Sequence, residues 1–276
     1  MTKKWIPLAA VLLLLTSGVA LADREGFVDV SPTYWAAGAI AGLEKLGIVQ
    51  GYGDDTFKPE SGVTRAEVAQ MIYNEHQSME KELKAVQTAD NAVTTAIANA
   101  LPGVVVIDAG NKLGAGFFID AGHILTAEHV VDGEDSIQIT TLSGHSYAAK
   151  VQAADMDKDL ALLRVTTGNE QVKPLSFANS YTVGETAIAI GHPDGLAYSV
   201  SKGIISNSDR SLDGIAAKMI QVDTAISPGN SGGPLLDIGG NIIGIVDSKI
   251  NAKASEGLGF AVSLEDIQSF LKQYGL

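Results

Sequence analysis

The sequence predicts a mostly β protein, an all-β barrel or sandwich over its C-terminal part with a small helical segment in front. Three observations predict this. From residue 103 onward the apolar residues come in short runs divided by Gly, Asp and Asn, the pattern of strands joined by turns. The 30 glycines and few aromatics favour tight turns over a helical bundle. Ahead of residue 103 the apolar spacing is helical instead.

The composition sets bounds on function. With 276 residues, 46% of them hydrophobic, there is material for one large and one small domain. A formal net charge of -13 excludes a nucleic-acid partner, whose phosphates such a surface repels. No cysteine is present, which excludes thiol catalysis and zinc–thiolate sites and leaves stability to packing.

Residues 1–22 read as a signal peptide. Lys3 and Lys4 supply a positive start, Leu8 to Leu15 an apolar stretch, and Ala20-Leu21-Ala22 the small residues of a cleavage site. The stretch is too short, and too soon followed by Asp23-Arg24-Glu25, for a permanent anchor. A secreted, extracellular protein is expected.

Residues 23–76 follow. Ser31-Pro32 predicts a helix start. Trp35, Ala39, Leu43 and Leu46 recur at helical spacing, and Gly47 marks a stop. After the turn residues Gly51-Tyr52-Gly53-Asp54-Asp55, Thr64-Arg65-Ala66-Glu67 predicts a second helix opening with a capping box. These residues resemble one S-layer homology (SLH) motif. The resemblance runs from Phe27-Val28-Asp29-Val30 through Trp35, Leu46-Gly47-Ile48, Gly51-Tyr52-Gly53-Asp54, Phe57 and Pro59 to Thr64-Arg65-Ala66-Glu67. It implies binding to a secondary polymer of the bacterial cell wall, with Trp35 and Arg65 as the binding residues. The family usually carries three such motifs packed together, and one is found. Residues 77–102 form a helical connector, in which Met79, Leu83 and Val86 continue the preceding helix and Pro102-Gly103 ends it.

Residues 103–276 carry the short runs. They include Val104-Ile107, Gly116-Ile119, His123-Thr126, Ser136-Thr140, Leu160-Val165, Thr186-Ile190, Met219-Val222 and Ile242-Val246, with a closing helix over about Leu264 to Gln273.

The chemistry starts from Gly229-Asn230-Ser231-Gly232-Gly233-Pro234. Glycines on both sides of Ser231 permit a sharp turn that brings peptide N–H groups beside its hydroxyl, as an oxyanion hole requires. A serine needs a base. Of five histidines, His129 follows an apolar strand whose end can expose its ring to a cleft. His123 reads as structural, and His76, His145 and His192 as surface groups. The base needs an acid to fix its tautomer. Asp159 abuts the run Leu160-Ala161-Leu162-Leu163 and is preferred for that reason, with Asp157 as the alternative.

The order His129, Asp159, Ser231 is the chymotrypsin-type order. The segments Gly114-Ala115-Gly116-Phe117, Ile124 to Val131, Asp159 to Leu163, Ala189-Ile190-Gly191-His192-Pro193 and Asp223 to Leu235 together resemble trypsin-like serine proteases of the HtrA type. That resemblance implies a chymotrypsin-like double β-barrel with His129 as general base, Asp159 as its orienting acid and Ser231 as nucleophile. The stretch Gly229-Asn230-Ser231 would supply the oxyanion hole, through the N–H groups of Gly229 and Ser231. Ala225, Ile226 and Lys249 would border the primary pocket. The first two suit a small or aliphatic side chain, while Lys249 could favour an acidic one. No metal or cofactor is called for.

The PDZ domain usual in the family is not found after the closing helix. A wall-tethered serine endopeptidase acting on unfolded or damaged polypeptides is expected, with a homotrimer that would gather three single SLH motifs. The alternative is a chaperone-like binding protein that keeps the fold without turnover.

Overall fold

The computed structural model describes residues 26–192, 195–212, 214–248 and 257–276, apart from the side chains of 85, 89 and 90. The expected signal peptide at 1–22 and Lys249 lie outside the described residues. The chain divides into two compact units between Val86 and Gln87.

The first unit holds α1 (Ala37–Lys45) and most of α2 (Arg65–Ala100). The first helix starts later than Ser31-Pro32 predicts. Ser31 Oγ accepts from the Thr33 N–H at 3.3 Å, and its carbonyl accepts from the Tyr34 N–H at 2.8 Å. A hydroxyl that closes a local turn on its own backbone competes with helix capping. The expected apolar face is also displaced. Ile40 is buried, whereas Trp35, Leu43 and Leu46 are exposed.

The stop at Gly47 has a clear cause. With φ at 71°, Gly47 donates its N–H to Glu44 O at 2.8 Å, and Ile48 donates to Leu43 O at 2.9 Å. This is the paired closure of a left-handed C-terminal glycine. The α2 cap is reciprocal: the Thr64 N–H donates to Glu67 Oε2 at 2.7 Å, and the Glu67 N–H to Thr64 Oγ1 at 3.2 Å. The loop between the helices is tied by the Asp29 carboxylate, which accepts the N–H groups of Phe57 (2.8 Å) and Lys58 (2.7 Å). These bonds hold the Asp29 carboxyl below its ordinary value, the one from Phe57 most.

In the second unit a short 3₁₀ turn at Leu101–Gly103 follows α2. Twelve strands then form two closed antiparallel barrels. The first contains β1 (Val104–Ala109), β2 (Lys112–Phe118), β3 (His123–Thr126), β4 (Ile137–Thr140), β5 (Ser146–Asp155) and β6 (Leu160–Val165), in the order β1-β2-β3-β6-β5-β4. The second contains β7 (Thr186–Gly191), β8 (Ser199–Arg210), β9 (Met219–Val222), β10 (Pro234–Leu236), β11 (Ile242–Val246) and β12 (Gly259–Ser263), in the order β10-β11-β12-β9-β8-β7. One helical turn, α3 (Glu128–Val131), follows β3, and α4 (Leu264–Lys272) closes the chain. Ser263 caps α4, its Oγ accepting from the Asp266 N–H at 3.3 Å.

Each barrel has its own core, around Ile107, Ile124 and Leu163 in the first and Ile205, Ile220 and Val246 in the second. A third cluster, including Phe117, Leu162, Ile190 and Phe270, draws residues from both barrels and fixes one against the other. Closure removes the free sheet edges that would otherwise invite aggregation. Among the described residues no helix is long and apolar enough to cross a membrane.

Candidate active site

His129 sits in α3 immediately after β3. Asp159 precedes β6 in a left-handed conformation, φ 55°, which Asp tolerates better than most side chains. That turn aims its buried carboxylate back at α3. Asp159 Oδ1 accepts the His129 backbone N–H at 2.9 Å, and Oδ2 lies 2.6 Å from His129 Nδ1. Two bonds from one carboxylate set both the ring's position and its tautomer, with the proton on Nδ1. The lone pair on Nε2 then faces Ser231 Oγ at 2.9 Å. Three residues far apart in sequence thus form one hydrogen-bonded chain, while Asp157 makes no such bond among the described contacts.

The loop bearing Ser231 is held from both barrels. The Ser231 carbonyl accepts the Ala115 N–H of β2 at 2.8 Å, and the Gly232 N–H donates to Val246 O of β11 at 2.9 Å. Gly229 has φ 97° and Gly232 φ 80°, and a Cβ at Gly232 would strike Thr126 Oγ1 and Ala115 O. Glycine is required at both places.

The Asn230 N–H is committed to Ser227 O at 3.0 Å, so Asn230 drops out of the candidate oxyanion donors. Among the described residues, the N–H groups of Gly229 and Ser231 have no hydrogen-bond partner. Such donors beside the hydroxyl are what a developing oxyanion needs.

Two neighbours went unread in the sequence. Ser248 donates its N–H to Ser231 Oγ at 3.2 Å, and its hydroxyl lies 2.5 Å from Ser231 Oγ. For Ser231 to offer its proton to His129, Ser248 must be the donor in that pair. Asp247 is buried, and its carboxylate lies within 4.8 Å of ligand-type atoms of His129 and Asp159. His129 and Asp159 already bond to each other, and no metal role is assigned to the three. The available signal was position: Asp247-Ser248 directly follows β11, whose Val246 N–H bonds Gly233 O at 2.9 Å.

His192, read as a surface group, is fully buried. Its Nε2–H donates to Val105 O at 3.0 Å, and its Nδ1 accepts the Tyr198 N–H at 3.0 Å. Its backbone N–H donates to Gly229 O at 3.0 Å. Burial pushes its pKa below the ordinary value and keeps the ring neutral. It braces the Ser231 loop against the first barrel. His123 is held between Asp120 (2.7 Å) and Arg164 (3.1 Å) and takes no part in the site.

Ala225 and Ile226 lie on the segment leading to Ser231. The Ala225 carbonyl accepts from Ser201 Oγ at 2.8 Å, and Ile226 packs on the second barrel's core. Lys249 falls outside the described residues. In the first unit Trp35 and Arg65 both face solvent. Trp35 stays 88% exposed, touching the Tyr34 ring at 5.8 Å between centroids.

A pair of closed six-stranded barrels with a Ser-His-Asp chain across them is the architecture of chymotrypsin-like serine proteases. Comparison with known proteins agrees. Residues 114–245 match the family model of the trypsin-like peptidase domain, and residues 26–69 that of the S-layer homology domain. Serine protease Do-like HtrB of Bacillus subtilis is 37% identical over 164 residues, 56% of this chain and 36% of the relative. Putative serine protease HhoA of Synechocystis is 42% identical over 164 residues, 56% of this chain and 41% of the relative. The chain thus covers well under half the length of these relatives. A solved structure of the HtrA-type protease AlgW with a tripeptide superposes with a TM-score of 0.60 at 32% identity, covering 65% of this chain and 62% of AlgW. The chain therefore carries a trypsin-like peptidase domain similar to those of HtrA-type serine proteases, together with an S-layer homology domain.

Proposed function

We propose that this chain is an exported serine endopeptidase held at the cell wall, with Ser231 as nucleophile, His129 as general base and Asp159 as orienting acid. The observation that carries this reading is the hydrogen-bonded run from Asp159 through His129 to Ser231 Oγ. In the reaction, Ser231 Oγ attacks the scissile carbonyl carbon as its proton passes to His129 Nε2. Asp159 stabilises the imidazolium. The N–H groups of Gly229 and Ser231 receive the charge on the carbonyl oxygen. His129 then returns the proton to the leaving amine, and water, activated by the same imidazole, hydrolyses the acyl-enzyme.

Ala225 and Ile226 line the primary pocket and favour a small or aliphatic residue before the cut. The substrates are unfolded or damaged polypeptides. The SLH unit tethers the enzyme: the Arg65 fork pairs with an anionic group of a wall polymer, and Trp35 offers a flat apolar face to it. Three copies assemble, so that three single SLH units stand together. Domain limits of 23–76, 77–102 and 103–276 follow from this division of labour.

Casein cleavage tests the peptidase. Ser231→Ala should lower turnover by roughly 10⁴-fold or more; equal cleavage by both proteins overturns the assignment. Arg65→Ala should lower retention on purified wall, and unchanged retention moves the binding site elsewhere.

A further inference from the structure

The first barrel closes through β4 on β5, and that contact spans only Ile137–Thr140 and Ser146–Ala149. From Lys150 to Asp155 β5 runs on past the end of β4, paired with β6 on one side. Among the described residues no further backbone bond reaches Lys150–Ala154. The overhang therefore presents an open edge, about 20 Å long.

Two cavities of opposite charge flank this edge. One, of about 530 Å³, is lined by Lys150, Val151, Gln152, Arg164 and Thr166. The other, of about 330 Å³, is lined by Glu128, Asp132, Glu134, Asp135, Val151 and Ala154. Val151 borders both and is 41% exposed.

The cationic side is oriented. Lys150 stands directly across from Arg164, a like-charge pair that costs stability in a sheet. Among the described residues neither forms an ion pair with a carboxylate. Arg164 Nη1 donates to His123 Nε2 at 3.1 Å, and His123 Nδ1 lies 2.7 Å from Asp120 Oδ2. That relay holds one corner of the guanidinium and leaves its other N–H groups to a carboxylate, which the fork takes with two bonds. A bulge between Val151 and Ala153 leaves Gln152 with no partner residue on β6 and bends the strand there.

We propose that the β5 overhang is a strand-addition site for an extended polypeptide segment, separate from the Ser231 site. The incoming strand lies beside β5 where β4 stops, and the backbone edge supplies its hydrogen bonds. Its alternate side chains go to the two sides, acidic ones to Lys150 and Arg164, basic ones to Asp132, Glu134 and Asp135. The bulge and the edge lysine turn away a uniformly apolar strand, so the occupant is a segment in which acidic and basic residues alternate. A polysaccharide would meet the two cations but would use neither the backbone edge nor the acidic cavity. The proposal does not depend on the peptidase chemistry.

Binding is read by fluorescence anisotropy on the full-length Ser231→Ala protein. The probe is a labelled Thr-Glu-Lys-Glu-Lys-Thr peptide, and Thr-Glu-Glu-Lys-Lys-Thr is the control of equal composition. The alternating peptide should bind, and the control should bind roughly tenfold more weakly, since it sends one acid and one base to each side. N-methylation of alternate peptide bonds should weaken the probe by roughly tenfold, because a main-chain bond is lost. Lys150→Glu with Arg164→Glu should weaken it by roughly tenfold or more while the thermal transition stays in place. Asp135→Lys, on the other cavity, is the second variant and should weaken it likewise. Equal binding of both sequences, or binding unmoved by both variants, overturns the proposal, since the probe would then sit elsewhere. N-methylation without effect overturns strand addition. Absence of peptide binding overturns it too, and purified wall polymer held by this protein but not by the Lys150→Glu, Arg164→Glu variant would assign the cation pair to the wall. Failure of the peptidase reading, scored by casein cleavage with the wild type, leaves these results standing.

Discussion

In the peptidase unit Phe117, Phe118 and Leu162 are wholly out of water, whereas in the SLH unit Trp35, Leu46 and Ile72 remain largely in it. The two units use different means to stay ordered. The barrels rest on burial, with three apolar clusters and closed sheets among the described residues. The SLH unit rests on directed hydrogen bonds: the Asp29 clamp, the Thr64–Glu67 box and the Asn74 tie. Each such bond contributes about 1 kcal/mol net. Burial of one Phe or Leu contributes more. The difference teaches where precision is kept: the hydrogen-bonded run from Asp159 through His129 to Ser231 sits in the densely packed unit.

Four substitutions can break or sharpen this contrast. The largest effect is expected inside the site. Asp159→Asn should lower kcat by about 10⁴-fold, because the ring loses its tautomer and its charge partner while the packing stays. Casein kinetics beside an unchanged thermal transition would check it.

Next comes the core. Phe117→Ala should cost about 3–5 kcal/mol in the peptidase transition, measured by urea denaturation. A loss below 1 kcal/mol would mean that the barrels do not depend on burial as described.

Thr64→Ala removes one half of the capping box and should cost about 1 kcal/mol in the SLH unit alone. Calorimetry resolving the two transitions would show whether the effect stays local.

The smallest effect concerns pH. Hydrogen bonds from Ser143 and Tyr147, the first the larger, hold the Glu170 carboxyl down to about 2 from 4.5. A depressed carboxylate stabilises the fold above its ordinary value and loses that contribution as pH falls through about 2. The Tm difference between wild type and Glu170→Gln should be a few degrees at pH 6 and vanish near pH 2.

Much of the peptidase unit was legible in the sequence. His123–Thr126, Leu160–Val165, Met219–Val222 and Ile242–Val246 are strands at the bounds their apolar runs predict, because strands buried on both faces read as uninterrupted apolar segments. By contrast β5 and β8 carry no such run. Their residues are mostly exposed or half-buried, so Ser and Lys replace the apolar signal. The SLH unit was legible at its caps and illegible in its packing. Gly47 and Thr64 act through local backbone bonds, which sequence encodes directly. The exposure of Trp35 and Leu43 depends on what covers them, which helical spacing cannot report. In the site, motif and chain order brought out Ser231, His129 and Asp159. Asp247, Ser248 and the burial of His192 depend on how the end of β11, His192 and Tyr198 come together around the Ser231 loop, and no local pattern marks them.

The account stands most directly on Ser231 as an activated nucleophile. Reaction of the intact protein with a fluorophosphonate, followed by peptide mapping, measures this. A single adduct on Ser231, lost in His129→Ala, is the predicted result. A folded wild-type protein that takes up no label, or takes it elsewhere, would contradict the account.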